Sequence, residues 1–315
     1  MNAVVVKGVI HEYPAARKTA ARRALNGVSF SVAEGELFGL LGPNGGGKST
    51  LFRILATAFA PTGGSAAILG RDLVADPASV RPLLGVVFQS PSLDNKLTVR
   101  ENLIHGGRLY GLSGTSLTKR IDEMLSRYRL AARASDLCGT LSGGLRRRVE
   151  LAKSLLHKPS VILLDEPSTG LDPAARQDLW EHLRTLKAEG ATIMTTTHLM
   201  DEGDRCDRVA ILDQGKIVAM GTPSALKAEI GGDVITIETD DASGLRDEIT
   251  QRFGVTPRAF GDQLRLERAA GHAFIPQLVE AFPGRLRTVS LSRPSLEDAF
   301  LHHAGRRFSD AEAVP

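Results

Sequence analysis

An α/β core followed by a smaller α+β domain is the fold this 315-residue sequence predicts, on three observations. The apolar, strand-like run Leu37-Phe38-Gly39-Leu40-Leu41 passes through a glycine-rich segment, Gly42-Pro43-Asn44-Gly45-Gly46-Gly47-Lys48-Ser49, into helix-like Thr50 to Ala58. A second apolar run, Val161-Ile162-Leu163-Leu164, ends in two adjacent carboxylates, Asp165 and Glu166. Beyond Gly231-Gly232 the composition changes, and strand and helix patterns follow in the order βαββαβ.

The glycine-rich segment matches G-x-x-x-x-G-K-[ST], and the strand before it and helix after it are the context that gives the match meaning. Glycines at 42, 45, 46 and 47 carry no Cβ, so the backbone can turn sharply and present successive N–H groups to phosphate oxygens. They do so at a helix N-terminus, where the dipole favours negative charge. Lys48 is expected to bridge the β- and γ-phosphates as a point charge. Ser49 through its hydroxyl, and Asp165 through a water shell, are expected to hold Mg²⁺, an ion that keeps water and takes few protein ligands. These residues predict a P-loop NTPase core that binds a nucleoside triphosphate with Mg²⁺ and is expected to hydrolyse it; ATPases and kinases share such a loop, so it names a cofactor and leaves the job open.

A further motif narrows the class. Leu141-Ser142-Gly143-Gly144-Leu145-Arg146-Arg147-Arg148 starts with a Ser N-cap and two glycines, then continues as a helix with Val149, Ala152, Leu155 and Leu156 on one face. A Ser and two exposed Gly N–H groups at a helix start make a second anion site, this one without a lysine.

With these motifs the chain resembles the ATP-binding cassette family, whose signature is LSGGQ followed by a basic helix, over residues 1 to about 225. The resemblance implies a RecA-like core with an antiparallel β-subdomain and an inserted helical subdomain at about 95–157, together forming a nucleotide-binding domain over 1–231. It implies ATP contacts from Gly42, Asn44, Gly45, Gly46, Gly47, Lys48, Ser49 and Thr50, with Tyr13 stacking on adenine. It makes Gln89, after the strand Gly85-Val86-Val87-Phe88, the glutamine that senses Mg²⁺ and the attacking water, counted with Ser49 and Asp165 at the ion. Glu166 becomes the residue that polarises the water, as a full base or mainly by orienting it. His198, after Thr192 to Thr197, becomes the switch histidine at the γ-phosphate, and Leu171-Asp172 the loop that crosses a dimer interface. In that family Ser142, Gly143 and Gly144 would close in trans on ATP held by a second copy, so function requires a homodimer.

Three departures from the family pattern stand out. Leu145 replaces the signature Gln, with altered packing expected and no loss of the phosphate contact. Gly46 replaces the usual Ala or Ser, which is expected to loosen the loop slightly and be tolerated. The segment from Tyr13 to Ala24-Leu25 is about six residues longer than usual and carries Arg17, Lys18, Arg22 and Arg23 at 14–23. Two readings of it stand, a solvated loop or a basic contact to lipid headgroups or nucleotide.

Composition sets the outer bounds. At 42% hydrophobic residues there is ample material for a core. No run approaches the about 18 apolar residues of a membrane span, and Val4-Val5-Val6 is too short for a signal peptide, so a cytosolic protein is expected. Cys138 and Cys206 have no metal spacing and no expected disulfide. A net charge of +3 gives no argument for nucleic acid. Arg146, Arg147 and Arg148 point about 100° apart on a helix and are expected to form a mostly solvated surface.

The remaining elements follow in order. Val99 to Leu109 and Leu117 to Leu130 read as helices, and by the resemblance Ser90 to Asn102 is the surface that receives a membrane subunit. Pro173 to Glu189 reads as a helix with Pro in its first turn, and Val209 to Leu212 with Lys216 to Met220 as a hairpin. Gly221-Thr222-Pro223 starts an exit helix. In 232–306, strands at Val234–Thr239, Arg258–Phe260, Gln263–Glu267 and Leu286–Leu291 alternate with helices at Gly244–Phe253 and Ala273–Phe282, the split pattern of a ferredoxin-like domain. Ser295-Leu296-Glu297-Asp298 has capping-box spacing for a last helix. Residues 307–315 read as a disordered tail.

The Pro294 to Phe300 element resembles one in the accessory domain of drug-resistance exporters, where a role in stabilising or regulating the dimer, or simple packing, stands open. The implied function is the ATP-hydrolysing subunit of an exporter, peripheral on the inner face of the cell membrane through a separately encoded permease. The cargo stays open among drug, lipid and polysaccharide. The alternative, a soluble cassette ATPase acting on DNA or ribosomes, lacks the expected long heptad run or second phosphate loop.

Overall fold

The computed structural model describes residues 1–15 and 20–306, which fall into two compact units dividing at Gly221, ahead of the composition change at Gly231-Gly232. Arg17, Lys18 and the tail from 307 lie outside the described residues.

In the first unit, β1 (Asn2–Tyr13) and β2 (Arg22–Ala33) pair antiparallel across several bulges, so both strands run far longer than any apolar run suggests. The continuously apolar β3 (Leu37–Leu41) is buried throughout and leads through the glycine-rich loop into α1 (Lys48–Leu55). Strands β4 (Gly63–Ile68) and β5 (Arg71–Asp72) complete an antiparallel sheet in the order β2-β1-β4-β5. After α2 (Pro77–Val80) and β6 (Leu84–Val87) come the helices of the insert, α3 (Val99–Leu109), α4 (Gly114–Arg127) and α5 (Gly143–Ser154). The core then resumes with β7 (Val161–Asp165), α6 (Pro173–Ala188), β8 (Thr192–Thr197), α7 (Met200–Gly203), β9 (Arg208–Asp213) and β10 (Lys216–Gly221).

Six strands form the second sheet, in the order β10-β9-β3-β8-β7-β6, with β9, β3, β8, β7 and β6 running parallel to one another. Register decides where chemistry can occur. Leu41 sits opposite Thr197, and Asp165 opposite Thr196, so the phosphate loop, the paired carboxylates and His198 all emerge at one carboxyl edge. Aromatic packing fixes the layers beneath, with Phe30 stacked on Phe38 at 5.3 Å and Phe52 edge-on to Phe88 at 5.7 Å.

The arginine run on α5 corrects the expectation of a solvated surface. Arg147 is 7% exposed, pairs with Glu150 at 2.9 Å and donates to the Phe88 carbonyl at 3.1 Å. Arg148 donates to Asp178 on α6 at 2.9 Å. A buried guanidinium is tolerable here because a carboxylate one turn along meets it, a partner that the run of arginines alone does not reveal. Cys138 and Cys206 are buried free thiols. Among the described residues no helix is long and apolar enough to cross a membrane.

The second unit contains α8 (Pro223–Ala228), β11 (Asp233–Glu238), α9 (Ala242–Phe253), β12 (Arg258–Phe260), β13 (Gln263–Arg268), α10 (Gly271–Ala281), β14 (Thr288–Ser292) and α11 (Leu296–Ala304). Its sheet runs β12-β13-β11-β14 with every pair antiparallel. Ile235, Ile237, Leu264 and Leu266 pack there against Leu245, Ile249, Phe274 and Leu278. Ser295 and Asp298 form the capping box of α11, and the buried Asp298 also pairs with Arg265 on β13. The Pro294 to Phe300 element thus fastens α11 within its own unit.

Candidate active site

The glycine-rich loop is shaped by what lies beneath it. A Cβ on Gly42, whose φ is +154°, would fall 2.1 Å from the Leu212 carbonyl oxygen, so only glycine lets the loop lie against the end of β9. Gly46 is crowded too, since a methyl there would sit 3.0 Å from the Leu212 oxygen and 3.1 Å from that of Pro43. Glycine at 46 therefore spares the loop a tight contact.

Lys48, 4% exposed, donates from Nζ to the Gly42 carbonyl at 2.6 Å and the Pro43 carbonyl at 3.0 Å, and lies 3.6 Å from Glu166 Oε1. Its ammonium is held beneath the loop, close to where phosphate would arrive. Ser49 Oγ stands 3.4 Å from Asp165 Oδ1, and the Thr196 hydroxyl donates to the same oxygen at 2.6 Å. Burial pushes the Asp165 carboxyl above its ordinary value, partly offset by the Thr196 hydrogen bond. A divalent cation beside it would favour the ionised form. The donor set is all oxygen, Ser49 hydroxyl, Asp165 carboxylate and Gln89 amide, and so fits Mg²⁺ shared with nucleotide phosphates. Among the described residues no group of three or more His, Cys, Asp or Glu could hold a metal alone.

Glu166 is the convergence point. Its Oε2 accepts from Gln89 Nε2 at 3.2 Å and from Thr169 Oγ1 at 3.3 Å, and His198 Nδ1 lies 3.3 Å away without a hydrogen bond. Its backbone N–H donates to Thr196 Oγ1 at 2.9 Å, and its φ is +45°, a left-handed conformation uncommon for a non-glycine residue. Gln89, Lys48, Asp165, Glu166 and His198 are therefore brought together, as the sequence predicts. Thr196 and Thr169 were not anticipated. The signal available was a polar Thr195-Thr196-Thr197 run inside an otherwise apolar sheet.

Tyr13, at the end of β1, is half-buried and its hydroxyl is 3.1 Å from Thr50 Oγ1, with His11 edge-on to its ring at 4.7 Å. Opposite it in register, Arg22 reaches the Gly45 carbonyl at 3.5 Å. Asn44 and Gly45 form the exposed tip of the loop. Ser142 and Asp172 make local contacts. Ser142 accepts from Leu145 N at 3.4 Å to cap α5, and Asp172 accepts from Ala175 N at 2.9 Å to cap α6. Ser142 and Gly143 are exposed, and Gly144 is half-exposed. This one chain thus holds a loop, two carboxylates, a glutamine and a histidine at one sheet edge, and a second glycine-rich helix end presented to solvent.

The ABC transporter family model matches residues 25–169. A Nod factor export ATP-binding protein I of Burkholderia lata is 40% identical over 292 residues, covering 91% of this chain and 93% of that protein. A daunorubicin resistance ATP-binding protein of Streptomyces coeruleorubidus is 38% identical over 305 residues, covering 93% and 94%. Among solved structures, an ATP-binding subunit of an ABC transporter is 32% identical with a TM-score of 0.65, covering 73% of this chain and 93% of that one. A cassette solved as a dimer in a post-hydrolysis state with ADP and Pi is 28% identical with a TM-score of 0.64, covering 70% and 98%.

Proposed function

The chain belongs to the ATP-binding cassette family of transporter ATPases, and from that membership we propose that it powers export by ATP-driven closure of a homodimer. The observation that carries this reading is the Glu166 carboxylate, where Gln89, Thr169, His198 and Lys48 converge beside the Asp165–Ser49 pair. Phosphoryl transfer asks chiefly for positioning and charge neutralisation. Lys48 neutralises phosphate charge, and the loop N–H groups and the α1 terminus add to it. Ser49, Asp165 and Gln89 would hold Mg²⁺, which when bound neutralises charge on the β- and γ-phosphate oxygens. Glu166 polarises the attacking water and takes up its proton, while Gln89 hydrogen-bonds that carboxylate and His198, beside it, meets the γ-phosphate.

The exposed helix end at Ser142, Gly143 and Gly144 supports assembly in pairs, since it is built for phosphate yet makes only local contacts. Each γ-phosphate would be gripped by both copies, and Asp172 would lie at the seam. We assign 1–231 as the nucleotide-binding domain with its helical insert at 95–157, and 232–306 as an accessory domain of ferredoxin-like class, a choice supported by its β12-β13-β11-β14 order.

The energy must reach a separately encoded permease. A groove of about 800 Å³ lined by Val86, Phe88, Gly106, Leu109, Tyr110 and Lys153 adjoins Ser92, within the 90–102 surface, and Leu109 is 83% exposed beside it. Such an apolar slot suits a short permease helix, which would hold the chain on the inner face of the membrane. Nothing in the site favours a soluble factor acting on DNA or ribosomes.

The test is Glu166→Gln. It is expected to bind Mg-ATP normally, to lower turnover by 10²-fold or more, in the range of a lost general base, and to accumulate a closed dimer by size-exclusion chromatography. Turnover near the wild-type rate would remove Glu166 from the chemistry.

A further inference from the structure

Glu202 is a fully buried carboxylate, 0% exposed, that the chemistry above does not use. Its Oε2 accepts from the Thr197 hydroxyl at 2.6 Å, and its Oε1 accepts from Trp180 Nε1 at 3.3 Å. The Thr197 hydroxyl in turn accepts from the backbone N–H of Leu199 at 3.0 Å. One hydroxyl thereby ties the residues on either side of His198 to each other and to Glu202. Arg176, on α6 one turn before Trp180, lies 4.0 Å from Oε1 through an Nε that has no hydrogen-bond partner.

A carboxylate buried this deeply costs free energy unless its surroundings repay it, and here two donors and a nearby guanidinium do so. A glutamine would fit the same space, but its amide nitrogen would face one of two donors, leaving that group unsatisfied. The need for an acceptor on both oxygens is thus a need of this location and not of packing in general.

We infer that Glu202 is a positioning residue for His198, bracing the turn that carries the imidazole against Glu166 and linking that turn to α6 through Trp180 and Arg176. The link has a direction. Asp172 caps α6, so a second copy arriving at that cap bears on the same helix that hydrogen-bonds Glu202. Glu202 passes the state of the seam to the ring beside the attacking water. This rests on the reading of His198 given above.

The chain has one tryptophan, so Trp180 emission reports the brace directly. Glu202→Gln is expected to shift that emission to the blue and to lower kcat by on the order of tenfold, with KM for Mg-ATP nearly unchanged. Thr197→Val should match the kcat loss, Thr197→Ser should restore it, and Glu202→Gln with Thr197→Val should be no worse than either alone. Thr197→Val at the wild-type kcat, or Thr197→Ser as impaired as Thr197→Val, would overturn the brace. His198→Ala separates the two ideas. If it is inactive while Thr197→Val is fully active, only the brace fails; if it turns over at the wild-type rate, the role of His198 fails and the brace with it.

Discussion

Two glycine-rich helix N-termini in this chain, both proposed to meet phosphate, are built differently. At α1 the cap is Gly47 in a left-handed conformation, with no side-chain capping bond, and the first helical residue is the buried Lys48, tied to two loop carbonyls. At α5 the cap is Ser142, its oxygen holding Leu145 N; Gly143 is exposed and Gly144 half-exposed, and no lysine stands at the first helical position. The first end gives up its own capping bond to keep N–H groups and an ammonium for a ligand. The second is stable without one. A site with a buried lysine can hold ATP by itself, whereas a capped helix end without such a lysine would add grip only after another element has brought the phosphate to it. The proposed sharing of ATP between two copies rests on that asymmetry.

Breaking each end in turn tests the comparison. The largest effect is expected from Lys48→Ala, which removes the one buried cation of the loop and should abolish measurable turnover, with nucleotide binding weakened by 10²-fold or more in equilibrium titration. Gly143→Asp should leave binding intact and abolish turnover, because a carboxylate would meet the phosphate of the other copy. Mixing the two inactive proteins sharpens the result. Each mixed dimer contains one site with an intact loop from one copy and an intact α5 end from the other, so activity should return, with rate depending on mixing ratio. No recovery in an ATPase assay of the mixture would refute composite sites.

Asp165→Asn should have an intermediate effect, with opposite signs in two measurements. Burial raises the Asp165 carboxyl above 3.8, so in the folded protein it holds its proton more tightly than in the unfolded chain. Its favourable contribution is therefore present at low pH and is lost as pH rises through the raised folded value. The asparagine variant, without nucleotide, should melt at or above the wild type at pH 7, and the difference should shrink as pH falls into the carboxylate range. The same variant should lose the rise in Tm that Mg-ATP gives the wild type.

The smallest change expected is at the cap of α5. Ser142→Ala removes one capping hydrogen bond and should cost about 1 kcal/mol by denaturant titration. Its larger cost should be to turnover, measurable beside the stability loss.

Much of this site was legible in the sequence because its parts are local. A glycine run needs no tertiary partner to announce a backbone that must approach something closely, and Asp165-Glu166 closes an apolar strand in plain view. Residues whose meaning depends on a distant partner were not legible. Arg147 sits in a basic run and reads as solvated until Glu150 and the Phe88 carbonyl surround it. Thr196 and Asp165 are separated by 31 positions and meet only because β7 and β8 lie side by side. Bulges in β1 and β2 broke the alternation that would have announced two long strands. In the second unit, by contrast, the strands and helices were readable, since short alternating and helix-period segments are separated by turn residues, although β11 pairs with β14 fifty or more positions away.

The left-handed backbone at Glu166 has a practical consequence for anyone who evolves this protein in the laboratory. A side chain held at a φ of +45° costs about 1 kcal/mol or more, and glycine or asparagine would relieve much of that. Selection for heat resistance alone should therefore drift toward Gly or Asn at 166 and enrich hardy, inert clones. A screen that rewards cargo movement should keep discarding them.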